Sequence, residues 1–299
     1  MKSLACGVLL CLAFNALAAP DIASVPPDLV IPPLSDGPPT PGKRVKQAHP
    51  TKEETEVYHT LYLPTDWAPQ KRFPVIVEFA GNGPYQNDFG DVSTGLVEGS
   101  RLGYGLTEGK GYLWLCLPFL NEANTTNVTQ WWGDKPTYNP AMTIDYCKKV
   151  VPWICQTYGG DPKRVILCGF SRGAIAVNHI GLHDDAIASL WCASIAYSHY
   201  DGVIESWGYP NGDRTSARTR LTRLAKRPQF ILHEVSDRKS NNLAATRSYL
   251  EKTGVDLNTF RFLETGFRNH NDAWTLRPSP ARKALRGWLT KLPSNKNAP

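Results

Sequence analysis

The sequence predicts an α/β protein whose central sheet is mostly parallel and flanked by helices on both faces. Three observations carry that expectation. Apolar runs of strand length recur from residue 56 onward, helical patterns separate most of them, and no internal repeat breaks the alternation. Runs that are apolar throughout, instead of alternating with polar residues, mark strands buried on both sides. A chain of 299 residues has room for one such domain. Its 41% hydrophobic and 20% charged residues are those of an ordinary globular protein.

Residues 1–18 read as a signal peptide: Lys2 is the positive end, Leu4 to Phe14 the apolar run, and Ala16-Leu17-Ala18 the small-residue cleavage site. The run is too short to span a bilayer, and no other stretch reaches the ~20 apolar residues of a transmembrane segment, so a secreted or periplasmic protein is expected. Prolines at 20, 26, 27, 32, 33, 38, 39, 41 and 50 then predict an extended, poorly packed leader over 19–54. The folded domain is expected over 55–293, with a tail at 294–299.

Within it, strands are expected at Glu56–Leu63, Pro74–Phe79, Tyr112–Leu117, Arg164–Cys168, Leu190–Ala196, Phe230–Val235 and Arg261–Glu264. Helices are expected at Ala141–Tyr158, stopped by Gly159-Gly160, at Gly173–Leu182, Ser216–Lys226, Asn242–Lys252, and at Pro280–Leu292 behind the Ser279 cap. Three long loops remain, 81–111, 118–140 and 198–215. Loops beyond the carboxyl ends of parallel strands form the ligand crevice of open α/β sheets, so these should shape the site.

Seven cysteines become five once Cys6 and Cys11 leave with the signal, and an odd number cannot all pair. Cys116, Cys168 and Cys192 lie in apolar strand runs and read as small buried hydrophobes. Cys147 and Cys155, eight apart on one helix, are too distant to bridge. No cysteine and histidine spacing suggests zinc; His179 and His183 lie four apart but lack a third ligand and read as a helix pair. The net charge of +6 is modest and does not point to a nucleic-acid partner. Its cluster at Arg214, Arg218, Arg220, Arg223, Lys226 and Arg227 reads as a solvated helix face.

The chemistry concentrates at Gly169-Phe170-Ser171-Arg172-Gly173, which lies between the strand ending at Cys168 and the helix opening at Ala174. That strand-turn-helix setting is what a nucleophile elbow requires, since a tight turn tolerates little side-chain bulk and lifts the serine to a helix N-terminus. A serine hydroxyl needs a base, and the base needs an orienting acid. In the expected chain order Asp237 follows the strand ending at Val235, and His270 is the sole histidine beyond it. Asp201 is the replacement acid if Asp237 merely caps the next helix. The oxyanion donors are assigned to the amides of Arg172 and of Asn82 in Ala80-Gly81-Asn82-Gly83.

The chain resembles secreted α/β-hydrolase esterases grouped with polyhydroxybutyrate depolymerases and feruloyl and acetyl xylan esterases. The resemblance spans about residues 56–292 and rests on Val75 to Gly83, Gly160 to Arg164, Gly169 to Gly173, Asp237 and His270. It implies the α/β-hydrolase fold and a Ser-Asp-His triad working through an acyl-enzyme without a cofactor. Ala80 stands where many relatives carry histidine, and Arg172 replaces a frequent glutamine. Trp131, Trp132 and Tyr200 are candidates to stack on a sugar or phenolic group. Asn124-Thr-Thr and Asn127-Val-Thr are glycosylation sequons on the same loop as the tryptophans. The expected function is ester hydrolysis on acylated polysaccharide. A polyester depolymerase or serine peptidase would use the same triad, and a silent carbohydrate-binding protein could keep the fold without the chemistry.

Overall fold

The computed structural model describes residues 19–292. The predicted signal peptide and the 294–299 tail lie outside them. Nine strands form one sheet: β1 (Leu34–Ser35), β2 (Arg44–Gln47), β3 (His59–Tyr62), β4 (Phe73–Phe79), β5 (Leu113–Leu117), β6 (Gly160–Phe170), β7 (Ala193–Tyr197), β8 (Gln229–His233) and β9 (Phe260–Glu264). Their spatial order is β1-β2-β3-β5-β4-β6-β7-β8-β9. All neighbours pair in parallel except β2–β3 and β3–β5, which reverse β3. This is the α/β-hydrolase fold, with the strand order turning at β4 and β5 beside the strand that leads into Ser171.

Because side chains alternate across a strand, one sheet feeds two cores. Val75, Val77 and Phe79 of β4 pack with Val150, Val151 and Ile154 of α2 (Ala141–Tyr158). Ile76, with Trp114 and Cys116 of β5, points the other way, toward α1 (Leu102–Thr107) and α7 (Pro280–Leu289). Glu78 lies on that second face, fully buried, and its oxygens accept the amides of Arg101, Leu102 and Gly103 and the Trp114 indole N–H. The carboxylate thus satisfies the open N-terminal amides of α1, a helix hidden from sequence reading by its two glycines. Burial pushes the Glu78 carboxyl up to about 7.

Remaining helices match expectation in place and fall short at their ends: α3 (Arg172–His179), α5 (Arg214–Leu221) and α6 (Leu243–Glu251), with a short α4 (Asp185–Ala188) between α3 and β7. The basic cluster on α5 departs from a purely solvated face. Arg220 is buried in a two-pronged pair with Asp201, at 2.8 and 3.0 Å, and Arg214 binds the carbonyls of Gly202 and Val203. All five cysteines between 116 and 192 are buried and unpaired.

Residues 19–54 are not the loosely packed leader that their prolines suggested. β1 and β2 extend the sheet, Arg44 and Val45 are buried, and Ile22 packs under Phe267 and Trp274 in the second core. Proline is tolerated because these are edge segments, where a missing donor breaks no ladder. Further contacts tie this segment to the far end of the chain. Ile22 N–H donates to Asn269 Oδ1 at 2.7 Å, Arg268 N–H donates to the Pro20 carbonyl at 3.1 Å, and Arg268 pairs with Asp21 at 2.8 Å.

Candidate active site

Ser171 sits between β6 and α3 at φ 54° and ψ −118°, a left-handed conformation that costs a side chain about 1–3 kcal/mol and is kept where the surroundings enforce it. Neighbouring glycines make the turn feasible. A Cβ on Gly169 would stand 2.1 Å from the Gly173 carbonyl oxygen, and one on Gly173 would stand 2.2 Å from that of Phe79. The serine amide donates to the Tyr197 carbonyl at 2.9 Å, which pins the elbow to β7.

His270 reaches the serine from the loop after β9. Its Nε2 lies 2.9 Å from Ser171 Oγ, and Phe170, Tyr85 and His199 surround the ring. On the other side Nδ1 faces Glu234 Oε1 at 3.1 Å and Ser198 Oγ at 2.6 Å. For Nε2 to accept the serine proton, Nδ1 must carry the ring hydrogen and donate it to these oxygens. Burial by itself would raise the Glu234 carboxyl, but its hydrogen bond and charge contact with His270 leave it below its ordinary value, ionised beside the ring.

The acid expected at Asp237 is therefore corrected. Asp237 is exposed, three residues beyond Glu234, and makes no hydrogen bond to His270 among the described residues. Glu234 directly follows β8, so its side chain enters the site, whereas the chain then leads outward through Ser236. The reserve candidate Asp201 is committed to Arg220.

One more carboxylate, which sequence reading missed, holds the His270 loop. Asp91 Oδ2 accepts the His270 amide at 2.9 Å and Asn87 Nδ2 at 3.0 Å, while Oδ1 accepts Asn269 Nδ2 at 3.0 Å and Asn271 Nδ2 at 3.2 Å. Asp91 is buried in the loop that also carries the hairpin Tyr85–Gln86 and Val92–Ser93. A signal was present: a loop aspartate among asparagines can bind backbone and amide groups, yet nothing in the sequence says which loop it will clamp.

Asn82 and Arg172 both line the cleft that opens on Ser171, a space of about 340 Å³. The next amide along, that of Gly83, does not face the cleft as a free donor, because its N–H is taken by the Thr129 carbonyl at 2.9 Å. Asn82 Oδ1 accepts the Trp131 amide, which fixes the loop, and the Arg172 amide belongs to the open first turn of α3. Gly81 packs against Ser171, since a Cβ there would stand 3.2 Å from Ser171 Cβ.

Of the three aromatic candidates, one faces the cleft. Trp131 lines it. Trp132 is completely buried and stacks on His179 at 4.4 Å, and Tyr200 is buried with its hydroxyl donating to Gln229 Oε1 at 2.6 Å. Both are core residues, and His179 belongs to the same packing. A larger cleft, about 740 Å³, opens beside His183 and Arg223, but it holds neither Ser171 nor His270. Among the described residues no cluster of histidine, cysteine or carboxylate could hold a metal ion, and no helix is long and apolar enough to cross a membrane.

No family model and no curated protein sequence matches the chain. Solved structures do. A thermostable esterase superposes with a TM-score of 0.50 at 16% identity over 83% of this chain and 62% of its own. A candidate dipeptidyl aminopeptidase IV from Bacteroides ovatus ATCC 8483 reaches 0.53 at 16% identity, over 79% of this chain and 34% of its own. A CE1 ferulic acid esterase from Anaeromyces mucronatus, solved with ferulic acid, reaches 0.50 at 15% identity over 86% of this chain and 90% of its own. The chain thus spans under two thirds of the first two, and at these identities the likeness establishes the α/β-hydrolase fold.

Proposed function

We propose that the protein is a secreted serine carboxylic-ester hydrolase in which Ser171 is the nucleophile, His270 the base and Glu234 the acid that orients it. The single observation that carries the reading is the continuous chain Ser171 Oγ–His270 Nε2 and His270 Nδ1–Glu234 Oε1, at 2.9 and 3.1 Å, on a serine held in a strained turn. Such a constellation has a defined use whatever the fold around it.

In this mechanism Ser171 Oγ attacks the ester carbonyl carbon as His270 Nε2 takes its proton. The imidazolium so formed is stabilised by ionised Glu234, and the tetrahedral oxyanion faces the amides of Asn82 and Arg172. The carbon–oxygen bond to the alcohol breaks as His270 returns the proton to the leaving oxygen, which leaves an acyl group on Ser171. Water, deprotonated by the same imidazole, attacks the acyl carbon. Its proton restores the serine as the carboxylic acid departs. None of these steps calls for a cofactor.

Acylated polysaccharide is the substrate class we favour, supported by Trp131 at the cleft and by the ferulic acid esterase among the similar folds. The aromatic support is narrower than three candidates suggested, since Trp132 and Tyr200 are buried. Purified protein and Ser171→Ala should be assayed on short-chain nitrophenyl esters, acetylated xylan, methyl ferulate, polyhydroxybutyrate and a peptide. Ser171-dependent turnover of an ester is expected. Equal inactivity of both proteins on every substrate would overturn the proposal.

A further inference from the structure

The cleft over Ser171 carries positive charge for which ester hydrolysis itself has no use. Arg172 is half-buried, and its Nη1 is sealed from solvent without a hydrogen-bond partner. Two indoles grip its guanidinium, Trp207 at 3.8 Å and Trp131 at 4.6 Å from ring centre to guanidinium carbon. These faces fix the plane of the group and offset part of its desolvation, but they supply no countercharge. Arg172 enters no ion pair among the described residues, and burial lowers it to about 10, so it stays protonated at neutral pH.

One more residue extends this charge, and a neutral histidine lies beside it. Arg238 lines the same cleft and is likewise without an ion pair among the described residues. His199 lies there with a buried, unpartnered Nδ1; burial first, and then the charges of His270 and Arg172, hold it neutral. Among the described residues no carboxylate lines the cleft. Buried Arg220 and Arg282 pair with Asp201 and Asp28, and buried Arg44, which has no carboxylate, donates to the carbonyls of Val97 and Glu98; the Arg172 guanidinium has neither kind of partner among the described residues. An unpaired, partly desolvated charge is costly unless something pairs with it.

We infer, resting on the serine-hydrolase reading, that the substrate is itself anionic: an ester bearing a carboxylate that docks on Arg172 and Arg238 while its carbonyl meets Ser171. Guanidinium matches carboxylate in a planar, two-point fashion, and such charge-assisted hydrogen bonds are about twice as strong as neutral ones. The backbone amide of Arg172 serves the oxyanion, so its side chain is free for this task. The competing purpose is packing alone, the guanidinium joining the loops of Trp131 and Trp207. Packing predicts no discrimination by substrate charge.

Two matched pairs test it and locate the carboxylate. Mono-p-nitrophenyl adipate against p-nitrophenyl hexanoate places it on the acyl side, and 4-acetoxybenzoate against its methyl ester places it on the alcohol side. In at least one pair kcat/KM should favour the anion by about tenfold or more at low ionic strength, and the advantage should shrink as sodium chloride is raised. Arg172→Met, which keeps bulk between the indoles, and separately Arg238→Gln should each lower the ratio of anionic to neutral kcat/KM several-fold. Because the ratio is internal, a rate loss common to both esters cancels. No anionic preference in either pair overturns the inference while Ser171-dependent turnover of the neutral esters leaves the hydrolase reading standing. An unchanged ratio in both variants overturns it too, and if Arg172→Met does not fold, Arg238→Gln and the salt series decide alone. No Ser171-dependent turnover of any of the four esters overturns both.

Discussion

Replacing Glu234 by glutamine asks which carboxylate serves the base. The developing imidazolium sits 3.1 Å from Glu234 Oε1. Coulomb's law at an effective dielectric of about 20 gives about 5 kcal/mol for unit charges that close. At about 1.4 kcal/mol per tenfold in rate, that corresponds to a loss of between about 10³ and 10⁴ in kcat. Ser198 Oγ, 2.6 Å from the same nitrogen, remains to hold the ring and keeps the loss toward the lower figure. The assay is kcat on a short-chain nitrophenyl ester for Glu234→Gln and Asp237→Asn, with a thermal melt to show that each is folded. Asp237→Asn should stay within about twofold of wild type, since its side chain is exposed. A folded Glu234→Gln within tenfold of wild type, or the larger loss in Asp237→Asn, would refute the assignment.

Other outcomes follow from the same geometry. Gly173→Ala forces a Cβ to 2.2 Å from the Phe79 oxygen and 2.5 Å from that of Ala80. It should give no soluble protein or lose several kcal/mol (about 3 or more) in a denaturant melt. Gly287→Ala, in open space on α7, should be neutral or gain up to about 1 kcal/mol. Asp91→Asn turns one oxygen of a four-donor carboxylate into a donor. It should cost about 2–4 kcal/mol of stability and lower kcat more than KM, as read by melts and steady-state kinetics. Acid should destabilise the fold before carboxylates protonate. Burial holds His59 down to about 3 and His233 to about 4, so the unfolded chain binds protons there that the folded chain does not. Stability is then full above pH 6.5 and falls below it, by about 2 kcal/mol per such histidine at pH 5. A pH-independent melting temperature between 7 and 5 would contradict this.

The strained turn at Ser171 and its histidine partner were legible because their physics is local. Glycines at 169 and 173 flank a serine between a β-rich run and a helix, and chain order left one histidine. The acid was not, because Glu234 and Asp237 both follow β8, and a three-residue offset reverses which side chain points inward. A signal did exist: Glu234 interrupts an apolar run, and a carboxylate there must find a partner. Trp131 and Trp132 are adjacent in an irregular loop, where no period tells the fully buried one from the half-buried one that lines the cleft. The edge strands β1 and β2, of two and four residues, are too short to leave a hydrophobic repeat among their prolines.

The contacts of Pro20 with Arg268 and of Ile22 with Asn269 join residues 248 and 247 positions apart, immediately beside His270. Pairings of such separation close late, after the local elements. During synthesis the elbow can form once residue 197 has emerged, but the imidazole has no seat until the chain is nearly whole. A growing polypeptide would thus hold the Ser171 turn without its histidine partner until the loop carrying His270 has emerged. By the same logic, proteolytic trimming a few residues past position 22 should leave the nucleophile in place and silence it by loosening a clasp on the opposite end of the molecule's sequence.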